Sequence, residues 1–157
     1  MHTPLADRIR PQSIDEIVGQ QHLIGEGKPL RNIIESGELP NLIFYGPSGT
    51  GKTTLASIIA NQTNSLFVVL NAVSSGVADV KKVISDAKSN IELYGKKTYL
   101  LLDECHRWNK AQSDSMLEAI EKGYIVFIGA TTENPFVSMT RAIVSRCRIF
   151  EFKPLTK

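Results

Sequence analysis

Gly46-Pro47-Ser48-Gly49-Thr50-Gly51-Lys52-Thr53 fits the pattern Gly-x-x-x-x-Gly-Lys-[Ser/Thr] at every fixed position. A helix N-terminus presents unpaired amides and a partial positive charge, and a glycine-rich turn before it lets successive N–H groups converge on an anion. Gly46, Gly49 and Gly51 supply that turn, and Thr54 extends the phosphate-binding set by one residue. Lys52 is placed to reach the outer phosphates as a point charge, and the Thr53 hydroxyl can ligate the magnesium ion that accompanies a nucleoside triphosphate. The flanks agree with this reading. Leu42-Ile43-Phe44-Tyr45 is a compact apolar run of strand type, and Thr54 to Gln62 carries Leu55, Ile58 and Ile59 at helical spacing.

Four further apolar runs spread outward from the loop: Leu66 to Leu70, which reads as a buried strand ending at Asn71, then Thr98 to Leu102, Tyr124 to Ala130 and Arg148 to Phe152. Between them lie helical patterns. Pro29 opens one through Leu30, Ile33 and Ile34 that Gly37 stops; Ala78 to Tyr94 places Val80, Val83, Ile84, Ala87 and Ile91 on one face before Gly95. Asn109 followed by Gln112 resembles a capping box opening a helix through Met116, Leu117 and Ile120, which Gly123 ends, and Thr140 to Ser145 reads as a short helix. Strands alternating with amphipathic helices predict an α/β fold of the P-loop NTPase type, a five-stranded parallel sheet with helices on both faces. Ligands bind such sheets at the carboxyl ends of the strands.

One of those ends carries acids. Tyr99-Leu100-Leu101-Leu102 runs into Asp103-Glu104, about 50 residues after the phosphate loop. Asp103 can hold magnesium opposite Thr53, and Glu104 can orient or deprotonate the water that attacks the outer phosphate. Asp103, Glu104, Cys105 and His106 do not form a metal cluster, because consecutive residues on an extended chain point to alternate sides.

The bulk properties are those of an ordinary globular chain. The 157 residues are 42% hydrophobic and 22% charged with a net charge of +2, so whole-chain charge does not by itself indicate a nucleic-acid partner. No run approaches the length of a membrane span, the N-terminus lacks the apolar core of a signal peptide, and Cys105 and Cys147 are expected as reduced thiols, so a cytoplasmic protein with no membrane partner is expected. Residues 1–24 read as an N-terminal arm with one helical turn capped by Ser13 and Glu16, and residues 25–157 as a single nucleotide-binding unit. His22 and His106 read as local hydrogen-bonding residues, and Trp108 as packing a turn onto a helix, with a DNA or partner contact as its alternative.

Arg10-Pro11, Val18-Gly19-Gln20, the phosphate loop, Asp103-Glu104 and Ser145-Arg146-Cys147 together resemble the AAA+ ATPases of the clamp-loader clade. Within that clade, Pro4 to Arg8, Asp103 to Lys110 and Ile128 to Pro135 look like the group of replication-associated recombination ATPases, over about Pro4 to Lys157. The resemblance implies adenine contacts from Ala6, Arg10, Pro11, Val18 and Gly19, a phosphate sensor at Thr131 with Thr132 the close second, and an Asn71 that restrains Glu104. It implies an arginine finger at Arg146 reaching a neighbouring subunit's site, with Arg141 and Arg148 as weaker candidates. It implies ATP and Mg²⁺ as cofactors and a DNA-dependent ATPase that maintains replication forks as a homo-oligomer. Gapped, forked or single-stranded DNA and single-strand-binding protein are the implied partners, in a bacterial, nucleoid-associated setting. The family continues into a helical lid and an oligomerisation region beyond this stretch, so a fragment with weak activity of its own is expected. Two other readings remain: a clamp-loader-like scaffold that binds ATP with little hydrolysis, and a P-loop kinase of small metabolites, which leaves Asp103-Glu104 and Ser145-Arg146-Cys147 unexplained.

Overall fold

The computed structural model describes residues 20–36, 39–62 and 66–154. Strands β1 (Leu42–Tyr45), β2 (Leu66–Asn71), β3 (Thr98–Asp103), β4 (Ile125–Thr131) and β5 (Arg148–Glu151) form one sheet in the order β2-β3-β4-β1-β5, with every neighbouring pair parallel. The helices are α1 (Gln21–Ile24), α2 (Pro29–Ser36), α3 (Lys52–Gln62), α4 (Val77–Tyr94), α5 (Lys110–Glu121), α6 (Pro135–Ser138) and α7 (Arg141–Val144), with a 3₁₀ turn at Cys105–Arg107.

Alternation along the strands divides the core in two. Leu42, Phe44, Tyr99, Leu101, Val126 and Ile128 face one layer, packed by Leu30 and Ile34 of α2 and Leu55, Ile58 and Ile59 of α3. Ile43, Leu100, Leu102, Ile125 and Phe127 face the other, packed by Val80, Val83 and Ala87 of α4, Met116 and Ile120 of α5, and Ile143 of α7. Because successive side chains of a strand point to opposite faces, each strand must be apolar on both, which is why these runs lack a polar phase. The predicted α/β architecture, five parallel strands with helices on both faces, is present.

Several boundaries differ from the sequence reading. β2 does not form a buried strand: it is an edge strand of the sheet, with Leu66 37% and Val69 56% exposed, because none of the described residues pairs beyond it. Composition alone cannot distinguish a central from an edge strand. Helix α3 begins at Lys52 rather than Thr54, so the loop's lysine already belongs to the first helical turn. Two short elements, α1 and the 3₁₀ turn, carry too few residues for a periodic signal. The capping box of α5 is formed, with Gln112 N donating to Asn109 Oδ1 at 2.9 Å and Asn109 N to Gln112 Oε1 at 3.0 Å. Gly95 ends α4 in the left-handed conformation at φ 64°. The Ser13–Glu16 turn and the arm lie outside the described residues.

Candidate nucleotide site

β1 ends at Tyr45, and the chain turns at once into Gly46, whose amide donates to Thr131 O at 3.0 Å. A Cβ on Gly46 would lie 2.3 Å from the backbone oxygen of Phe152, so only glycine permits the close passage of this loop under the end of β5. Gly49 and Gly51 take φ of 76° and 95°, which lets the loop curl around an open centre. Thr50 Oγ1 donates to Pro47 O at 2.7 Å and braces the curl. The curl closes onto α3, whose first amides have no helical partner and face the same space.

Across the gap lie the ends of β3 and β4. Ser48 to Thr54, Asp103, Glu104, Thr131 and Thr132 together line a cavity of about 300 Å³. Parallel pairing puts them there: Tyr45 is in register with Thr131 and Asp103 with Ala130, so three carboxyl ends reach the same level. Lys52 Nζ donates to the carbonyls of Gly46 and, at 2.8 Å, Pro47. Partial burial lowers the Lys52 pKa, while the nearby Asp103 charge works in the opposite direction.

Glu104 is the single non-glycine residue with positive φ among those described, at φ 52° and ψ 42°. That left-handed kink lifts the chain out of β3 and into the 3₁₀ turn, and the Glu104 amide donates to Asp103 Oδ1 at 2.9 Å. Non-glycine residues pay roughly 1–2 kcal/mol for this conformation, so the surrounding structure must impose it. Two residues on, His106 Nδ1 meets Thr131 Oγ1 at 2.6 Å, and the same hydroxyl accepts Glu133 N at 3.0 Å. Thr131 is buried and committed to the turn, whereas Thr132 is exposed at the cavity wall.

Oxygen donors and a phosphate cradle fit magnesium bound to a triphosphate, since the Thr53 hydroxyl and the Asp103 carboxylate border the same cavity. Among the described residues no group of three or more His, Cys, Asp or Glu could hold a metal ion without such a ligand.

The other expected site residues fall elsewhere. Asn71 is in register with Asp103, but its side-chain oxygen accepts the Val73 amide at 2.8 Å within its own turn, so it would have to leave that bond to reach Glu104. Arg146 sits at the opposite end of the sheet from the cavity: Asn41 Nδ2 donates to Arg146 O at 3.4 Å, next to the start of β1. Its guanidinium pairs with Glu121 and donates to Ala142 O at 2.8 Å. Ala6, Arg10, Pro11, Val18 and Gly19 lie outside the described residues. His22 and His106 do act as hydrogen-bonding residues, but across the fold rather than locally: His22 Nε2 lies 2.8 Å from Glu151 O, and His106 bonds Thr131. Trp108 packs against the second core layer, and Cys105 and Cys147 are free thiols. No helix among the described residues is long and apolar enough to cross a membrane.

Sequence reasoning missed what Gln20 does. It is fully buried, and its side chain donates to Thr50 O at 3.1 Å and Lys153 O at 2.8 Å while accepting Lys153 N at 3.1 Å. Gln20 entered only as the end of the Val18-Gly19-Gln20 motif, and nothing local signals its bracing role, since its partners lie 30 and 133 residues away.

Residues 42–155 match the model of the ATPase family associated with various cellular activities, AAA. The chain is 50% identical over 153 residues to replication-associated recombination protein A of Haemophilus influenzae and 47% identical to that of Escherichia coli K12. In both comparisons 98% of this chain and 34% of the relative are covered, so the chain spans about a third of the length of these curated relatives. It is also 46% identical to the ATPase WRNIP1 of Dictyostelium discoideum, over 98% of this chain and 18% of that protein. Among solved structures, the Holliday junction branch migration motor RuvB of Thermotoga maritima aligns with a TM-score of 0.73 at 29% identity, covering 92% of this chain and 48% of that one. With a phosphate loop and an acidic strand end meeting in one cavity, and with the family model spanning most of its length, the chain belongs to the AAA family of ATPases.

Proposed function

We propose that the chain is the nucleotide-binding part of a DNA-dependent ATPase that hydrolyses ATP between subunits of an oligomer and so remodels DNA or protein–DNA complexes at replication forks. The observation that carries this reading is the single cavity bordered by the phosphate loop, Asp103 and Glu104. A phosphate-binding turn serves many proteins, but a glutamate held at its open side serves hydrolysis.

The triphosphate lies against the amides of Gly49 to Thr54, and Lys52 leaves the carbonyls of Gly46 and Pro47 to meet the outer phosphate. Thr53 and Asp103, which border the cavity together, would hold a magnesium ion, and that ion would supply positive charge to offset the charge developing on the phosphates. Glu104 orients the attacking water and takes up its proton. Thr132, exposed at the cavity wall, touches the outer phosphate, and Thr131 holds the turn that carries it. Ala6, Arg10, Pro11, Val18 and Gly19 contact the adenine, and Asn71 restrains Glu104 until a partner binds.

Arg146 completes the site of a neighbouring copy. Each residue of β1 advances the chain by about 3.3 Å, so the four residues of β1 separate the Arg146 end of the sheet from the phosphate loop by roughly 13 Å. It therefore serves a second subunit rather than its own cavity, exchanging Glu121 for the transferred phosphate. DNA, single-strand-binding protein and a homo-oligomer are the partners, in the bacterial cytoplasm near the nucleoid. The similarity to proteins named for replication-associated recombination and branch migration supports the DNA assignment. This stretch alone, without a fixed neighbour, turns over slowly.

Phosphate release by the full-length protein, with and without gapped DNA, tests the reading. DNA-stimulated release that drops by a factor of about 10²–10⁴ in Glu104→Gln, with nucleotide still bound, is expected. Equal release from Glu104→Gln, or no response to DNA, would sink it.

A further inference from the structure

The described residues include one buried amide side chain that joins three separate parts of the chain. Gln20 has no exposed surface, its carbonyl accepts Leu23 N and Ile24 N to start α1, and its side chain uses both ends. Nε2 donates to Thr50 O in the phosphate loop and to Lys153 O just past β5, and Oε1 accepts Lys153 N. A buried polar group with all its partners satisfied is costly to disturb, because deleting it strands each of them away from water.

The bond to Thr50 O has a consequence on the far side of the same peptide. The peptide unit is planar and trans, so the carbonyl of Thr50 and the amide of Gly51 point in opposite directions from one rigid plate. With the oxygen anchored on Gln20, the Gly51 N–H is turned away from Gln20, and Gly51 itself lines the cavity. Glycines at 49 and 51, both at positive φ with no atom within 4 Å of a would-be Cβ, leave this plate little resistance of its own to rotation. Side-chain bracing by Thr50 Oγ1 on Pro47 O holds the neighbouring residue but not the plate's carbonyl.

The second pair of bonds ties the plate to β5. Lys153 follows Phe152, whose backbone passes over Gly46 at the base of the loop and whose amide donates to Tyr45 O at 2.7 Å. His22, on α1, reaches Glu151 O from the same side. Base and crest of the phosphate loop are thus both fastened to the segment Glu151 to Lys153.

We propose that Gln20 is a positioning residue of the phosphate site, which presets the Gly51 amide towards the outer phosphates and locks the loop to the backbone leaving β5. It acts through Thr50 and Gly51 and touches neither nucleotide nor water. The proposal rests on the loop's binding a nucleoside triphosphate.

The test uses full-length protein, a fluorescent ATP analogue, and adenosine as a competitor that lacks phosphates. Gln20→Met keeps length and loses all three bonds; Gln20→Glu keeps shape but sets a carboxylate against two carbonyls. For both variants the dissociation constant for the ATP analogue and the KM for ATP are expected to rise about tenfold. The inhibition constant of adenosine and kcat at saturating ATP should stay within about threefold of the parent, since the lost amide acts on phosphate binding. If Gln20→Met does not fold, Gln20→Asn, which keeps the amide on a stem one methylene shorter, is read in the same way. Folded variants that bind the analogue like the parent, or that lose adenosine and ATP alike, would overturn the assignment. A parent protein that binds no ATP would overturn the proposed function instead, so the two failures are distinct.

Discussion

Thr131 Oγ1 and His106 Nδ1 lie 2.6 Å apart, joining the end of β4 to the turn that follows Glu104. The hydroxyl also accepts the Glu133 amide, so one side chain fixes both the polar tip of β4 and the placement of the glutamate's turn. His106→Phe keeps the ring volume and removes the nitrogen. Turnover at saturating ATP is expected to drop by roughly tenfold, because a glutamate displaced by a fraction of an ångström aims its water poorly. The KM for ATP should change little. A steady-state comparison decides it, and an unchanged kcat would mean that the contact is only structural.

Arg146 offers a contrast between stability and activity. Its ion pair with Glu121 is solvent-exposed on both sides, with side chains 38% and 47% accessible, and pairs of this kind contribute about 0–1 kcal/mol. Arg146→Ala should therefore leave the melting temperature nearly unmoved, yet reduce oligomer turnover by about 10³-fold if the guanidinium serves a neighbour's site. Mixing it with Glu104→Gln provides the sharper measurement. Mixed oligomers contain interfaces where an intact Glu104 faces an intact Arg146, so activity should reappear on mixing.

Gly129 is enclosed by its own layer. A Cβ there would stand 2.9 Å from Cys105 Sγ and 3.0 Å from the Phe127 ring, both buried. Gly129→Ala is expected to destabilise the protein by about 1–3 kcal/mol, as overpacked cores do. Cys105→Gly in the same background frees the space the methyl needs. A double-mutant cycle in urea should show positive coupling between the two, and strict additivity would mean that the Phe127 ring is the obstacle.

Burial pushes the Cys147 thiol up to about 12 from an ordinary 9.0, and Cys105 is raised as well, mainly by burial. Between those values the unfolded chain has lost a proton that the folded chain still holds, so stability declines as pH rises from about 9 towards 12. Cys147→Ala should flatten that decline in urea titrations. Alkylation of the native protein should be slow at pH 8 and keep accelerating above about pH 10, where an exposed thiol has levelled off.

The periodic core was readable from the linear chain. Leu42 to Tyr45 and Tyr99 to Leu102 are apolar at every position because both of their faces are covered, and Val80, Val83 and Ala87 repeat at helical spacing because one face of α4 is. The phosphate loop was readable for a related reason: its chemistry depends on adjacent residues, so glycines, lysine and threonine stand together. Asp103 and Glu104 could be found beside it since a strand ends where its apolar run ends.

Strand order was not legible in this way. β2 reads like β3 in composition, and only the absence, among the described residues, of a partner on its outer side makes it an edge. The bracing role of Gln20 was equally silent, although the residue ends the Val18-Gly19-Gln20 motif, because its bonds go to backbone atoms, which every residue possesses.

Local chemistry, written in consecutive residues, is what the sequence by itself determined: the cradle for an anion, the acids of β3 and the alternation of strand and helix. The tertiary structure alone decided which of these meet. Parallel pairing of β1, β3 and β4 brings loop, Glu104 and Thr132 to one end of the sheet, and the same pairing puts Arg146 at the other. The reason is physical. Side-chain identity specifies what a group can do, whereas its distance from another group depends on the register of strands far apart in the chain.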